Sequence, residues 1–508
     1  MTRKISQVKI GIVLSYVFII INTLYNLFIT PYIIKCLGDD EYGVFKTIGS
    51  LTASLIVIDL GIGSTVQRYV AKYIADKEEK KISNFIAMNY IQAFILILVL
   101  AVISVFLFLG IEPAYQATFT SGQIVTAKNV FLIMALSMAF QFFGDVSNGV
   151  IIGYNHFAFG NGVTLAKIIL RIFLVYFLLF FYQSAITLAL VDLGLSIVVI
   201  IAQLIYIKFA LKLKIRLEKW DKSVFFDAGK YTLLMFITTL VTQFNSNVDN
   251  IVIGAISGPN FVTVYSIGLL FFMMFQNLSC AISGVMLPTI ANAMAEKDSE
   301  QRVIDIIVKA GRIQFLLIGA GIVGFVIIGK DFLNIWLGES YSDAYIITLI
   351  LVIPSIFELC INVCLSILRV QNRLVFRTVA LLISTVVNII ITFLAVKYWS
   401  YIGAAFGTAA SYIGCSLIAM NIYYSKVIGL PMLKIYKRIV HGIWPCLIIG
   451  AVCLFGTSRV FHGSYIFFAL NVIIFCVVYA ICLLLFGLNE EEKGRIPVIR
   501  NLTRKKNI

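Results

Sequence analysis

Long apolar runs separated by short polar segments, most of them basic, fill this chain from end to end. A bilayer-spanning helix needs about 20 mostly apolar residues. Runs of that length lie at 10–34, 43–67, 84–110, 128–152, 157–182, 185–208, 229–254, 261–286, 311–329, 344–368, 374–396, 401–424, 440–458 and 464–487. The pattern predicts an all-α integral membrane protein with fourteen transmembrane helices. The longest connections, near 111–127 and 209–228, are too short for a folded extramembrane domain. The first run is too long for a signal-peptide core and lacks a small-residue cleavage site, so it is expected to be a retained helix.

One run breaks its own apolar character. The stretch FAFGNGVTLAKIILRIFLVYFLLFFY, Phe157 to Tyr182, carries Lys167 and Arg171 near its middle. Four residues apart on a helix, the two cations share a face. They lie roughly 15 and 21 Å from one end at 1.5 Å per residue. A charge at that depth is costly unless it faces a cavity, a partner or a ligand. We take this face as a positive lining for something anionic.

Composition agrees with the pattern. Of 508 residues, 60% are hydrophobic and 13% charged, too little polar surface for a soluble chain of this length. The net charge of +15 could suggest nucleic acid, but its placement points elsewhere. With the N-terminus inside, most of the forty basic residues fall in inner segments, and the outer ones hold only Lys35, Lys46, Lys128, Lys330, Lys397 and Arg459. This is the positive-inside pattern, so both termini are expected in the cytoplasm and no nucleic acid is expected as a partner. The nine cysteines lie mostly in apolar runs and the three histidines are scattered, so no metal site, disulfide framework or cofactor is expected.

The two halves resemble each other. Val70–Lys77 (VAKYIADK) returns as Ile290–Lys297 (IANAMAEK), Phe45–Gly49 as Val264–Gly268, and Val150–Asn155 as Ile367–Asn372, at offsets of 220, 219 and 217 residues. Six helices followed by six in the same orientation make a parallel repeat, and transporters built this way bind cargo between their halves and rock. The expected division is a lobe of helices 1–6 over 1–220, a second of helices 7–12 over 221–428, and two appended helices with a basic tail over 429–508.

Leu37-Gly-Asp-Asp-Glu-Tyr-Gly-Val44, Asp59-Leu-Gly-Ile-Gly-Ser-Thr-Val-Gln-Arg-Tyr-Val70 and the fourteen-helix layout resemble the polysaccharide transporters of the multidrug/oligosaccharidyl-lipid/polysaccharide exporter superfamily. The resemblance implies a flippase of the bacterial inner membrane. Its implied cargo is an undecaprenyl-pyrophosphate-linked oligosaccharide, turned outward for O-antigen, capsule or exopolysaccharide assembly. A monomer, in contact with membrane lipids and other polysaccharide assembly proteins, is the form the resemblance implies.

The remaining intramembrane polar residues each carry two readings. Lys167 and Arg171 either line a cavity that holds the pyrophosphate, with Arg171 able to bind it through two hydrogen bonds, or form ion pairs. By depth, Asp145 is in reach of Lys167 and Asp192 of Arg171. Arg68 is a first phosphate contact or a topology charge; Lys46 is an exit contact or a snorkelling side chain. Asp59, Asp249 and Glu358 are acids inside spans. Glu358 follows Pro354, which frees the carbonyl of Ile350 and kinks the helix, so a proton or sodium site coupled to rocking stands against a kink made for packing. Asn22 and Asn26, with Gln243, Asn245 and Asn247 at corresponding places of the second half, suit sugar hydroxyls or interhelical hydrogen bonds.

An inside-negative potential favours outward movement of an anion by about 2.3 kcal/mol per charge per 100 mV, and the chain has no GxxxxGK[ST] nucleotide loop. An ion-coupled multidrug antiporter of the same superfamily is the alternative, but it calls for an acid-dominated cavity. A membrane glycan polymerase or glycosyltransferase would need acids or bases in a large outer loop, and the longest one holds a single Glu112 and no His.

Overall fold

The computed structural model describes residues 2–59, 61–213, 215–217, 222–296, 300–371, 373–489 and 492, without the side chains of 2–16, 19, 57–59, 79–80, 222–238 and 285. The protein is all-α. Twelve helical segments among the described residues are long and apolar enough to span a membrane. The expected count was fourteen, and two features account for the difference. The runs 10–34 and 43–67 count as a single segment, Ile20–Ile56, although Gly38 breaks the helix between them. The run 229–254 forms a helix whose side chains are described only from 239 onward.

The chain divides into two compact units, 1–266 with 388–404, and 267–387 with 405–508. The first holds α1 (Thr2–Ala53), α2 (Ile62–Ala75), α3 (Glu79–Tyr115), α4 (Ser121–Gly153), α5 (Phe157–Phe181), α6 (Ala185–Phe209) and α7 (Lys222–Ile256). It also takes the start of α8 (Pro259–Met294) and the end of a later helix. Within α1 Gly38 is non-helical (φ 77°, ψ 169°), where a Cβ is disfavoured, so it separates two helices with no longer loop between them. The second expected span also departs from a plain helix. After Ala53 it tightens into a 3₁₀ turn (Ser54–Asp59), and Gly61 (φ 67°, ψ 33°) breaks it before α2.

A tight crossing of α2 and α4 forms part of the core of this unit. Val66 and Val70 of α2 and Val146 and Val150 of α4 are fully buried. A Cβ added at Gly149 would come 2.5 Å from Gly63 O, so only glycine permits this approach of the two backbones. Outward faces are apolar instead: Phe173, Tyr176, Phe177 and Phe180 of α5 are exposed, as residues facing hydrocarbon must be.

The second unit holds the rest of α8, then α9 (Glu300–Trp336), α10 (Ser342–Ile361), α11 (Cys364–Val370), the first half of α12 (Val375–Trp399), most of α13 (Ile402–Ser411), α14 (Met420–Lys426), α15 (Met432–Val440), α16 (Ile443–Val460) and α17 (Tyr465–Cys482). The expected span 344–368 is split between α10 and α11, with Pro354 inside α10. The expected span 401–424 carries a π-helical stretch, Tyr412–Ala419, between α13 and α14. Helix α15 was not expected. It is short and amphipathic, burying Met432, Ile435 and Ile439 on one face while Lys434, Lys437 and Arg438 stay exposed.

Beside α15 lies an internal ionic knot. Arg312 of α9, 3% exposed, donates from Nε and Nη2 to the Glu492 carboxylate at 2.7 and 3.0 Å. It also donates to the carbonyls of Arg438 (3.1 Å), His441 (2.8 Å) and Gly487 (2.8 Å). All five guanidinium N–H donors are thereby used. The knot ties α9, the α15–α16 junction and the chain after α17 together.

Candidate functional site

Helix α5 packs against α1 and α6, and that packing decides what its two cations meet. Arg171 makes a two-pronged pair with Asp192 of α6, Nε to Oδ1 at 2.6 Å and Nη2 to Oδ2 at 2.9 Å. Its guanidinium also lies 5.2 Å from the ring centroid of buried Tyr25 of α1, a cation–π contact. The pairing reading left open by the depths is therefore realised for Arg171. Yet its side chain and that of Asp192 stay 26% and 28% exposed, so the pair is only partly buried. Among the described residues, Arg171 Nη1 has no hydrogen-bond acceptor.

Lys167 lies one turn away. Its Nζ donates to Ser196 Oγ at 3.5 Å, and Asp192, Arg171 and Asp145 all act on it electrostatically. Ser196 in turn donates to the Asp192 carbonyl at 2.8 Å and lies 3.0 Å from Ser137 Oγ. Tyr32 and Tyr176 stack at 4.8 Å and share a hydrogen bond, which fixes α1 against α5. Tyr25, Ser137 and Ser196 were not legible as site residues, because neutral side chains in a span give no signal of what they face.

The other candidates are distributed. Asn26 donates to the Asn22 carbonyl at 2.8 Å on its own helix. Asn245 Oδ1 accepts from Asn388 Nδ2 at 2.9 Å. One turn on, buried Asp249 accepts from the Tyr265 hydroxyl, and Thr392 Oγ1 lies 3.0 Å from Asp249 Oδ1 and 2.9 Å from Asn388 Oδ1. This polar cluster joins α7, α8 and α12 within the first unit. Lys46 has its ammonium 5.3 Å from the Tyr42 ring centroid. Arg68 is exposed on α2. The Asp59 side chain lies outside the described residues.

Asp145 lines a cavity of about 300 Å³ between α2 and α4. In the second unit, Glu358 lines a space of about 30 Å³ with Arg377, Ser416 and Tyr424, and its Oε2 has no hydrogen-bond partner. That volume suits about one water. No group of three or more His, Cys, Asp or Glu side chains able to hold a metal occurs among the described residues.

Twelve apolar spans among the described residues make this a multi-pass membrane protein, and its fold resembles solved structures almost end to end. The lipid II flippase MurJ in an inward closed conformation matches with a TM-score of 0.70 at 17% identity, covering 92% of this chain and 97% of that one. An inward-facing multidrug resistance MATE family transporter of the MOP superfamily matches with a TM-score of 0.66 at 13% identity, covering 82% and 95%. A MOP superfamily transporter from Pyrococcus furiosus matches with a TM-score of 0.54 at 13% identity, covering 86% and 96%. No curated protein sequence matches significantly.

The family model described as "Polysaccharide biosynthesis protein" matches residues 8–294, more than half of the chain. The protein belongs to that family, as the motifs of its first two spans led us to expect.

Proposed function

We propose that this protein is a flippase that moves undecaprenyl-pyrophosphate-linked oligosaccharide repeat units across the cytoplasmic (inner) membrane by alternating access, for surface polysaccharide such as O-antigen, capsule or exopolysaccharide. One observation carries the reading: a half-exposed Lys167–Arg171 face in mid-span whose Arg171 keeps a donor unused. A pyrophosphate has the charge and the acceptor geometry to take that donor. Asp192 holds the guanidinium in place before the cargo arrives and competes with it afterwards, which favours release.

In this reading fourteen helices span the membrane with both termini cytoplasmic, arranged as lobes 1–220 and 221–428 with an appendage over 429–508. Arg68 and Lys46 serve as phosphate contacts at the inner and outer ends of the path. Asn26 and Asn245 contact sugar, and Asp59, Asp145, Asp192, Asp249 and Glu358 act as charge partners or ion-coupling groups. The protein works as a monomer beside other polysaccharide assembly proteins. The membrane potential favours expulsion of a pyrophosphate of about two charges by roughly 5 kcal/mol per 100 mV, without ATP.

Complementation of a glycan-export mutant tests it, comparing wild type with Lys167→Ala and Arg171→Ala at matched membrane levels. Loss of surface glycan with lipid-linked intermediate accumulating inside supports the reading. Full export by both single variants and the double variant refutes it. Ion-coupled multidrug antiport is the second reading, favoured by the buried Asp249 cluster, and that second outcome would restore it.

A further inference from the structure

The cavity beside Asp145 has a chemistry unlike that of the cation face on α5. It is lined by Gly61, Ser64 and Gln67 at the start of α2 and by Asp145, Asn148 and Ile152 on α4. Its volume of about 300 Å³ lies at the small end of ligand pockets, which run from about 300 to 1,000 Å³. Its walls are stiff, because Gly63 and Gly149 bring the two backbones into direct contact there.

We infer that this cavity is a subsite for one uncharged sugar residue of the cargo, an assignment that rests on the flippase reading above. The lining offers a hydroxyl, two carboxamides and a carboxylate. These are the acceptors and donors that vicinal sugar hydroxyls pair with, and Ile152 supplies an apolar wall. Gln67 and Asn148 each bring a carboxamide to the lining, a group that can both donate to and accept from a sugar hydroxyl. Asp145 is the sole charged side chain of the lining, and Lys167 opposes its charge from α5. The cavity is therefore polar with no cation of its own, which excludes the pyrophosphate and leaves it to Lys167 and Arg171. Asp145 lines the cavity and also acts electrostatically on Lys167, so it links the two subsites. In the orientation proposed above, these ends of α2 and α4 are cytoplasmic, where the saccharide begins its passage.

The test uses the full-length protein in nanodiscs with two probes. Saturation-transfer NMR follows methyl α-glucoside, methyl α-galactoside and N-acetylglucosamine, and a binding titration follows farnesyl pyrophosphate, which has no sugar. Ser64 is exposed, so Ser64→Phe fills the cavity without disturbing the α2–α4 contact, and Asn148→Ala removes a carboxamide from the lining. The expected result is saturation transfer to at least one sugar that falls about tenfold in both variants while farnesyl pyrophosphate binds as before. Lys167→Ala with Arg171→Ala should do the reverse. Absence of transfer to all three sugars in wild type, or unchanged transfer in both variants, overturns the subsite. Displacement by tetraphenylphosphonium that Asp145→Asn abolishes overturns it in favour of a cation site. Farnesyl pyrophosphate binding indifferent to Lys167 and Arg171 instead refutes the flippase reading itself.

Discussion

Two arginines in this protein make the same two-pronged pair with a carboxylate and serve different ends. Arg312, in the second unit, is 3% exposed and uses every N–H it has, two on the Glu492 carboxylate and three on backbone carbonyls. Arg171, in the first unit, is 26% exposed and keeps Nη1 unused among the described residues. A guanidinium with all donors satisfied has nothing left to offer a ligand and is a structural knot. One that is partly exposed and keeps a donor free still has a hydrogen bond to offer. The distinction lies in hydrogen-bond satisfaction and exposure, and neither the residue type nor the presence of an ion pair reveals it.

That contrast can be broken most directly at Arg312. Arg312→Ala takes two donors from the Glu492 carboxylate and one from each of three carbonyls, and removal of one partner of a buried pair costs about 3–5 kcal/mol. The expected outcome is a sharp fall in membrane level and in melting temperature measured by fluorescence size-exclusion chromatography. Arg312→Lys should recover little, since an ammonium cannot reproduce the fork. If Arg312→Ala is as stable as wild type, the knot has no structural role.

The next effect is functional. Lys167→Ala with Arg171→Ala should reduce glycan export by about tenfold or more while the membrane level stays near wild type. A parallel fall of export and level would place Arg171 in the same structural class as Arg312.

Asp192→Asn sharpens the comparison further. It removes a charge-assisted bond, worth about 1–3 kcal/mol, but leaves the cation in place. A modest drop in melting temperature with export retained is expected. Export abolished as fully as by Arg171→Ala would show that Asp192 does more than hold Arg171.

The smallest effect belongs to a pair on the surface. Arg438 and Asp305 meet at 2.8 Å with both side chains about half exposed. Asp305→Asn should change stability by less than about 0.5 kcal/mol, within the usual range for exposed pairs. A larger loss in thermal melting would mean that this pair helps to hold the Arg438 carbonyl for Arg312.

How much of this was legible beforehand varies residue by residue. The pairing of Arg171 with Asp192 could be anticipated, because helix rise converts sequence position into depth and the two groups match in depth. Arg312 could not be told from an ordinary inner-surface charge, since depth says nothing about which way a side chain faces or what folds back over it. Glycines 38 and 61 were visible, but apolar periodicity does not say which glycines break a helix. Helix α15 was missed because nine residues at the edge of a longer apolar run give too short a pattern.

The sequence by itself determined the all-α membrane class, the approximate spans and the family, because burial in hydrocarbon demands long apolar segments whatever their neighbours. Only the tertiary structure decided which charges are knotted and which stay partly exposed. It also decided that α2 and α4 enclose a polar cavity beside Asp145. Those properties depend on the rotation of each helix about its axis and on the packing partner it meets, and both are settled by contacts between residues far apart in the chain.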